Sequence, residues 1–509
     1  MFMQGRRHRR PVLRAAVGVG LAASLLGACS SSAGAPAQGG SAAGSGAGRG
    51  KPNIVFVLTD DLATNLIPYM PNVRQLQRDG MSFSDYYVTD SLCCPSRSSI
   101  LTGQFPHNTG VFTNNGSDGG YQAFNRRGNE RKCYGPAMQK AGYRTGFMGK
   151  YLNGYEPADT NGTDKPYVPP GWDEWDTAGN GYPEFNYDLN ENGKVVSYGH
   201  DPEDYLTDVV SRKATSFIDS SAAAKKPFML ELATFAPHGP STPAPRDAAT
   251  FPGLKAPRTA AFDTPPSPGP KWQDSLKPLS DREKRSIDQK FAKRVRSVQA
   301  VDDMIGHLRA ELKAKGIADN TYIVFSSDNG FHMGEHRLRP GKQTAYDTDI
   351  RVPLVVAGPR VKPGSTTSQP TENIDLSPTF QDLAGLTPAA TTDGLSLAPI
   401  LHGERVDDWR QAALIEHHRP GSKKGDPDAA PTDSGNPPTY EAIRTPDTLW
   451  VEYADGEREY YDLKTDPDEL HNRASALSHD QLKRLHATLT ALQHCHGSTA
   501  CAKASRIER

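Results

Sequence analysis

Short apolar runs recur along the chain with helix-compatible stretches between them: Asn53 to Leu58, Tyr143 to Met148, Pro227 to Leu232, Tyr322 to Phe325 and Val352 to Ala357. Runs of this length and composition read as buried parallel strands, and their alternation with helical stretches makes this an α/β chain. The charged stretch from about Ser280 to Gly316 carries apolar residues at Ile287, Phe291, Val295, Val298, Val301 and Ile305. That spacing predicts an amphipathic helix whose Lys and Arg residues form its solvated face. Ser377-Pro378 predicts a helix start, a capping residue followed by proline at the first helical position, with a stop at Gly385. Residues 239–278 are crowded with proline and read as a long irregular loop, a candidate cover for a site. Near the C-terminus, Asp455-Gly456 between Trp450–Tyr453 and Glu459–Leu463 predicts a hairpin.

The residues just past these runs are polar and chemically capable. Asp60-Asp61 succeeds the first run, Gly149-Lys150 the second, Pro237-His238 lies a few residues past the third, and Ser327-Asp328-Asn329-Gly330 succeeds the fourth. Polar groups just beyond the carboxyl ends of strands are where an open α/β sheet places its ligand crevice. Each group taken singly reads as a loop carboxylate or a solvated lysine, but four such coincidences predict one site.

The N-terminus predicts export. Arg6, Arg7, Arg9, Arg10 and Arg14 precede an apolar stretch from Ala15 to Leu26, too short to span a bilayer comfortably. It runs into Leu25-Leu26-Gly27-Ala28-Cys29, which resembles a bacterial lipobox, so residues 1–29 are expected to be a lipoprotein signal with Cys29 lipid-modified. The arginine run leaves twin-arginine export open. Residues 30–50 are nearly all Ser, Gly and Ala, a flexible tether that sets the folded part beginning near Lys51. The expected product is a cell-surface lipoprotein touching the membrane only through its anchor. With 58 Lys and Arg against 59 Asp and Glu, no global basic field exists to attract nucleic acid.

The segment Cys93-Cys94-Pro95-Ser96-Arg97-Ser98-Ser99-Ile100-Leu101-Thr102-Gly103 carries the chemistry. Pro95 suits the first turn of a helix ending by Gly103, which sets Cys93 beside free backbone N–H groups that favour an anion. The segment matches C-x-P-S-R-x-x-x-L-T-G at every defined position, and in this the chain resembles the sulfatases. L-T-D-D at 58–61, G-K-Y-L-N at 149–153, P-G-W at 170–172, Y-L-T-D-V at 205–209, A-P-H at 236–238, S-V-Q-A-V-D-D at 297–303 and S-D-N-G at 327–330 extend the resemblance over nearly the whole chain from Lys51. They point to the N-acetylglucosamine-6-sulfatase branch.

The resemblance implies an alkaline-phosphatase-like fold, with a mixed, mostly parallel central sheet flanked by helices over 51–400 and a smaller C-terminal α+β subdomain over 401–509. It implies that a formylglycine-generating enzyme oxidises Cys93 to formylglycine. One hydroxyl of the hydrated aldehyde then attacks sulfur, and the other loses its proton so that sulfate is expelled. Asp60, Asp61, Asp328 and Asn329, with an oxygen at position 93, match the metal ligands, for calcium or alternatively magnesium. Arg97 is matched to holding the hydrated aldehyde, Lys150 and Lys342 to clamping sulfate oxygens, and His238 to contacting sulfate or protonating the leaving alcohol. The implied substrate is a sulfated carbohydrate of the glycosaminoglycan kind, such as N-acetylglucosamine 6-sulfate. A phosphomonoester or phosphonate-ester hydrolase, and a non-catalytic glycan-binding surface lipoprotein, are the alternatives.

Many sulfatases carry a histidine two residues after the lysine matched by Lys150, whereas this chain reads Lys150-Tyr151-Leu152-Asn153. The base for the second hydroxyl is therefore unassigned, with His332, His336 and His107 as candidates. Trp172, Trp175, Tyr182 and Tyr187 are candidates for stacking on a sugar or for the core. With Cys29 and Cys93 assigned, Cys495 and Cys501 make a candidate local disulfide in an oxidising compartment, and Cys94 and Cys133 are a further possible pair.

Overall fold

Four of the apolar runs become neighbouring parallel strands: β1 (Asn53–Thr59), β2 (Arg144–Lys150), β3 (Phe228–Ala233) and β4 (Thr321–Ser327). Their aliphatic and aromatic residues are buried on both faces, as a sheet covered on two sides requires. Ile54, Phe56 and Leu58 of β1 enter one core and Val55 and Val57 the other, because alternate strand residues point to opposite faces. β1 lies between β4 and β3, with β2 beyond β3. The registers set Thr59 opposite Ser327, and Ala233 opposite both Leu58 and Gly149. The carboxyl ends of all four strands therefore finish at one level.

The computed structural model describes residues 50–419 and 432–507. The expected signal, the lipid-bearing Cys29 and most of the tether lie outside the described residues. Among the described residues, no helix is long and apolar enough to cross a membrane. The four strands sit inside a 10-stranded sheet whose flanking strands include antiparallel pairs. The run expected as a fifth parallel strand is instead Leu354–Ala357, antiparallel to β4. Pro353 delays its start, and no long crossover helix separates it from β4, so the chain returns beside β4 in the opposite sense.

The signature segment forms α1 (Cys93–Thr102), all ten residues of which are buried. Gly103 ends it in the left-handed region at φ 72°, its N–H donating to the Ser99 carbonyl at 2.8 Å. The long helix α2 (Asp281–Ala314) starts on a capping box between Ser280 and Glu283. It buries Ile287, Phe291, Val295, Val298, Val301 and Ile305 against the sheet layer. Its cations are not all solvated: Arg294 is 2% exposed. Asp302, in the S-V-Q-A-V-D-D block, accepts from the backbone N–H groups of Asn72 and Val73, both at 2.9 Å, and so satisfies the open end of the helix Pro71–Asp79.

The helix expected to start at Ser377 runs from Leu376 to Leu383, preceded by a 3-10 turn at Asn373–Asp375. Pro378 is tolerated there because first-turn N–H groups have no intrahelical partner to lose. The predicted hairpin is the antiparallel pair Thr448–Tyr453 and Arg458–Asp462, the last two strands of a four-stranded C-terminal sheet that begins with Ala413–His417 and Tyr440–Arg444. Leu485, Leu489 and Leu492 of the helix His479–Gln493 pack with Trp450 and Ile443 of this sheet. Cys495 and Cys501 form a disulfide, whereas Cys94 and Cys133 are free and buried.

Candidate active site

Asp60 and Asp61 leave the end of β1, Lys150 ends β2, His238 lies just past β3, and Asp328 and Asn329 just past β4. Two local features make this convergence possible. Gly149 has φ 103°, and a Cβ there would stand 1.9 Å from the Ala233 carbonyl oxygen, so only glycine lets β2 approach β3 this closely. Asp61 takes φ 63°, an uncommon left-handed conformation for a residue with a side chain. Both of its backbone groups are held: its N–H donates to Asp328 Oδ1 at 3.1 Å, and its carbonyl accepts from Arg294.

Cys93 is the first residue of α1 and is fully buried. Its Sγ lies 3.3 Å from Asp60 Oδ1 and 2.8 Å from Lys342 Nζ. Lys342 also donates to Asp61 Oδ1 at 2.7 Å, and Lys150 Nζ donates to Asp60 Oδ2 at 2.5 Å. Arg97 Nε donates to Asp328 Oδ2 at 2.7 Å and Nη1 to the Lys150 carbonyl at 2.9 Å. Three carboxylates thus meet three cations around one sulfur atom. His238 Nδ1 lies 2.8 Å from the Gly239 carbonyl, which can only accept, so that nitrogen carries the proton and Nε2 faces Asp61 Oδ2 at 3.7 Å.

The electrostatics arise from this packing. Burial pushes Asp60 up, but Lys150, His238, Arg97 and Lys342 outweigh it and hold the carboxyl well below its ordinary value. Asp328, buried beside the charge of Asp60, is pushed up to about 6 despite Arg97. Burial works against the charge on Lys150, yet Asp60 beside it raises its pKa well above the usual lysine value.

The donor set fits a hard cation. Ligand atoms of Asp60, Asp61, Cys93 and His238 all lie within 4.8 Å of one another. Asn329 Nδ2 donates to Asp61 Oδ1 at 2.7 Å and its Oδ1, fully buried, has no hydrogen-bond partner among the described residues. An orphaned buried oxygen on a residue bonded to Asp61 and Asp328 would suit a hard cation. Asp328 is the more committed acid, with Oδ1 accepting from the Asp61 and Asn329 N–H groups and Oδ2 from Arg97.

All the residues singled out by motif, Cys93, Arg97, Lys150, His238, Lys342, Asp60, Asp61, Asp328 and Asn329, therefore meet in one cluster. The candidate bases do not join it. His332 pairs with Asp349 at 2.9 Å, His336 stacks on Tyr346 and faces Glu469 at 3.6 Å, and His107 pairs with Glu416 at 2.9 Å. Trp172, Trp175 and Tyr187 belong to the core, whereas half-buried Tyr182 has Lys150 Nζ 4.9 Å from its ring centroid and His238 against its ring. Arg294 was hidden among the basic residues of α2. Its signal was positional: it falls three residues after Phe291 and four before Val298, on the apolar stripe.

Fold and site together gather three carboxylates and three cations around the atom at position 93, just past the carboxyl ends of parallel strands. The Sulfatase family model matches residues 52–386, and the model described as N-sulphoglucosamine sulphohydrolase, C-terminal, matches residues 334–495. The chain is 36% identical over 485 residues to N-acetylglucosamine-6-sulfatase of Homo sapiens, with 90% of this chain and 87% of that protein covered. It is 30% identical over 499 residues to N-acetylglucosamine-6-O-sulfatase of Bacteroides thetaiotaomicron, with 83% and 82% covered. A solved structure of a protein in complex with its substrate D-glucosamine-2-N,6-O-disulfate superposes with a TM-score of 0.71 at 26% identity, covering 87% of this chain and 98% of that one. The chain belongs to the sulfatase family. It is a sulfuric ester hydrolase of the alkaline-phosphatase-like α/β architecture.

Proposed function

We propose that this sulfatase hydrolyses sulfate monoesters on sulfated sugars, with N-acetylglucosamine 6-sulfate as the model substrate. The carrying observation is the position of Cys93, with Asp60 on one side and Lys342 on the other, in the register of the sulfatase signature. The relatives named for N-acetylglucosamine-6-sulfatase activity support the choice of sugar. Cys93 is the residue converted to formylglycine by a formylglycine-generating enzyme. When formed, that group supplies a hydroxyl nucleophile toward sulfur and a second hydroxyl whose deprotonation releases sulfate.

Asp60, Asp61, Asp328 and Asn329 would hold a divalent cation, calcium before magnesium because three carboxylates and an amide oxygen are more protein ligands than magnesium, which keeps several waters, usually takes. When bound, such a cation supplies positive charge that favours a deprotonated nucleophile and a sulfate anion in one place. The remaining work falls to the chain. Lys150 and Lys342 neutralise the sulfate oxygens, Arg97 orients position 93 through its fixed fork, and burial strengthens each of these contacts by excluding water. His238, with its Nδ1 proton committed to Gly239, presents Nε2 to exchange a proton with the leaving alcohol. The same reading places the protein outside the cytoplasm, anchored through Cys29 and spaced from the membrane by residues 30–50.

The test is a mass spectrum of the peptide containing Cys93 from protein made in its native host, alongside turnover of N-acetylglucosamine 6-sulfate. An aldehyde at position 93 with sulfate release is expected. Unmodified thiol alone would refute the mechanism, and preference for an aryl phosphate over the aryl sulfate of the same leaving group would replace the substrate class.

A further inference from the structure

Asp90 and His417 are both fully buried, and the carboxylate Oδ1 and the imidazole Nδ1 lie 3.8 Å apart, too far for a hydrogen bond. None of the four polar atoms these side chains carry, Asp90 Oδ1 and Oδ2 and His417 Nδ1 and Nε2, has a hydrogen-bond partner among the described residues. Buried polar side chains almost always find partners, and leaving two adjacent ones with none destabilises the fold. A pair retained in that state fits groups that arrive from outside.

The location says which groups. Asp90 stands three residues before Cys93 on the segment leading into α1. Ser91, next to it, donates to the Thr344 carbonyl at 2.9 Å, and the positive charge of Lys342 is felt at Asp90. His417 ends the first strand of the C-terminal sheet, where it pairs in register with Tyr440 and stacks on its ring at 4.9 Å. The Tyr440 hydroxyl in turn donates to the Gln343 carbonyl at 3.2 Å. The pair therefore flanks the Lys342–Thr344 segment, the same segment whose lysine touches Cys93. The cysteine and the lysines of the proposed catalytic set are equally enclosed, with Cys93 at 0%, Lys150 at 3% and Lys342 at 4% exposure, so burial does not set the pair apart from the site.

We propose that Asp90 and His417 form a subsite for the uncharged hydroxyl and amide groups of the sugar that carries the sulfate. The inference rests on the sugar-sulfatase reading above and deepens it. Its chemistry is suited to neutral ligands. Burial, with Glu416 adding to it and Lys342 opposing, raises the Asp90 carboxyl well above its ordinary value, and burial pushes His417 down to about 3, so the surroundings disfavour a charge on either group. The two carboxyl oxygens accept and the neutral imidazole offers one donor and one acceptor, a mixed pattern that adjacent sugar hydroxyls complement. A second sulfate is disfavoured, because the cation felt at Asp90, Lys342, is taken by the reacting sulfate. A site built to pair hydroxyls rejects ligands that lack them, because its own polar groups then stay unpaired.

The experiment compares kcat/KM for N-acetylglucosamine 6-sulfate and for 4-nitrophenyl sulfate, which has no ring hydroxyls, in the wild type, Asp90→Leu, His417→Phe and the conservative Asp90→Asn. The ratio of sugar ester to aryl ester is expected to fall about tenfold or more in the apolar variants and less in Asp90→Asn. Thermal unfolding is expected at equal or higher temperature in Asp90→Leu and His417→Phe, since each removes a buried group without a partner. A structural pair would behave oppositely, losing stability and leaving the ratio at its wild-type value, and that result overturns the subsite alone. A wild type that turns over the aryl ester but not the sugar ester, or neither, removes the reading beneath it and the subsite with it.

Discussion

Arg294 donates a hydrogen bond to the backbone carbonyl of Asp61, the residue that the chain turns into the left-handed region at the end of β1. Its other amino group reaches the Pro237 carbonyl at 3.3 Å, in the turn that presents His238. One guanidinium on α2 thus holds the backbones of a candidate metal ligand and a candidate proton donor. Burial lowers its pKa to about 10 while Asp61 and Asp60 oppose the shift, so it stays charged at neutral pH.

Arg294→Met is expected to leave the buried Asp61 carbonyl without a donor, at about 1–3 kcal/mol, while the Pro237 carbonyl keeps the Ser241 hydroxyl at 2.8 Å, and to loosen Asp61 more than His238. Turnover should fall on the order of 10-fold to 100-fold, with calcium affinity weakened, since small displacements of positioned groups cost that much. Arg294→Lys restores the charge but only part of the geometry and should recover part of both. Calcium titration by calorimetry separates this role from plain destabilisation, which would leave affinity in the folded fraction unchanged.

Chelation should abolish turnover without unfolding the protein. Lys150, Lys342 and Arg97 pair with Asp60, Asp61 and Asp328, so the acids are not left to repel one another. Calcium at a hundredfold excess over its Kd should add about 2.7 kcal/mol to the apo protein, read as a rise in Tm. Cooperative unfolding on chelation alone would contradict this.

Glu184 gives a pH prediction away from the site. It is 1% exposed, and its Oε2 accepts from the Thr207 N–H and hydroxyl, both at 2.9 Å, at the start of the helix Leu206–Ala223. Burial raises its pKa to about 8, the Thr207 donors only partly offsetting this. The folded state therefore holds a proton that the unfolded chain has released. This contribution to stability is full below the unfolded value of 4.5 and is lost as pH rises through about 8. Glu184→Gln, which keeps an acceptor for Thr207, should flatten the fall in Tm between pH 5 and pH 8 (~3 units of the linkage range). An unchanged slope would exclude Glu184 as its source.

Cys501→Ser should lower stability by about 2 kcal/mol, the entropy released by opening a short loop. The Cys495 carbonyl receives His107 Nε2 at 3.0 Å and Asn108 Nδ2 at 2.9 Å, just past α1. Loss of the disulfide should thus increase hydrogen exchange at residues 106–109 as well as in the C-terminal helix, which mass spectrometry of exchanged peptides can read.

The strand ends were legible because β1 to β4 are apolar runs succeeded at once by polar residues, and an open parallel sheet has one edge where those residues can meet. Position 93 was legible because its neighbours are fixed in register by the signature. What was not legible depends on contacts across the fold. The direction of Leu354–Ala357 is set by a return path through loops, which leaves no periodicity to read. Arg294 looks like its solvated neighbours until the carbonyls of Asp61 and Pro237 are placed against it. Asp90 and His417 are 327 residues apart along the chain, brought together only by folding, and neither carries a local motif.

Cys93 has no exposed surface, and the helix that begins with it is buried along its whole length. If Cys93 is modified as proposed, a maturation enzyme would reach that thiol only while α1 is still unformed, so modification and folding would compete for the same chain. On that reading the outcome is recorded once and kept: a molecule that folds first would stay sealed with an unmodified thiol. Specific activity in a preparation would then measure which event came first during synthesis.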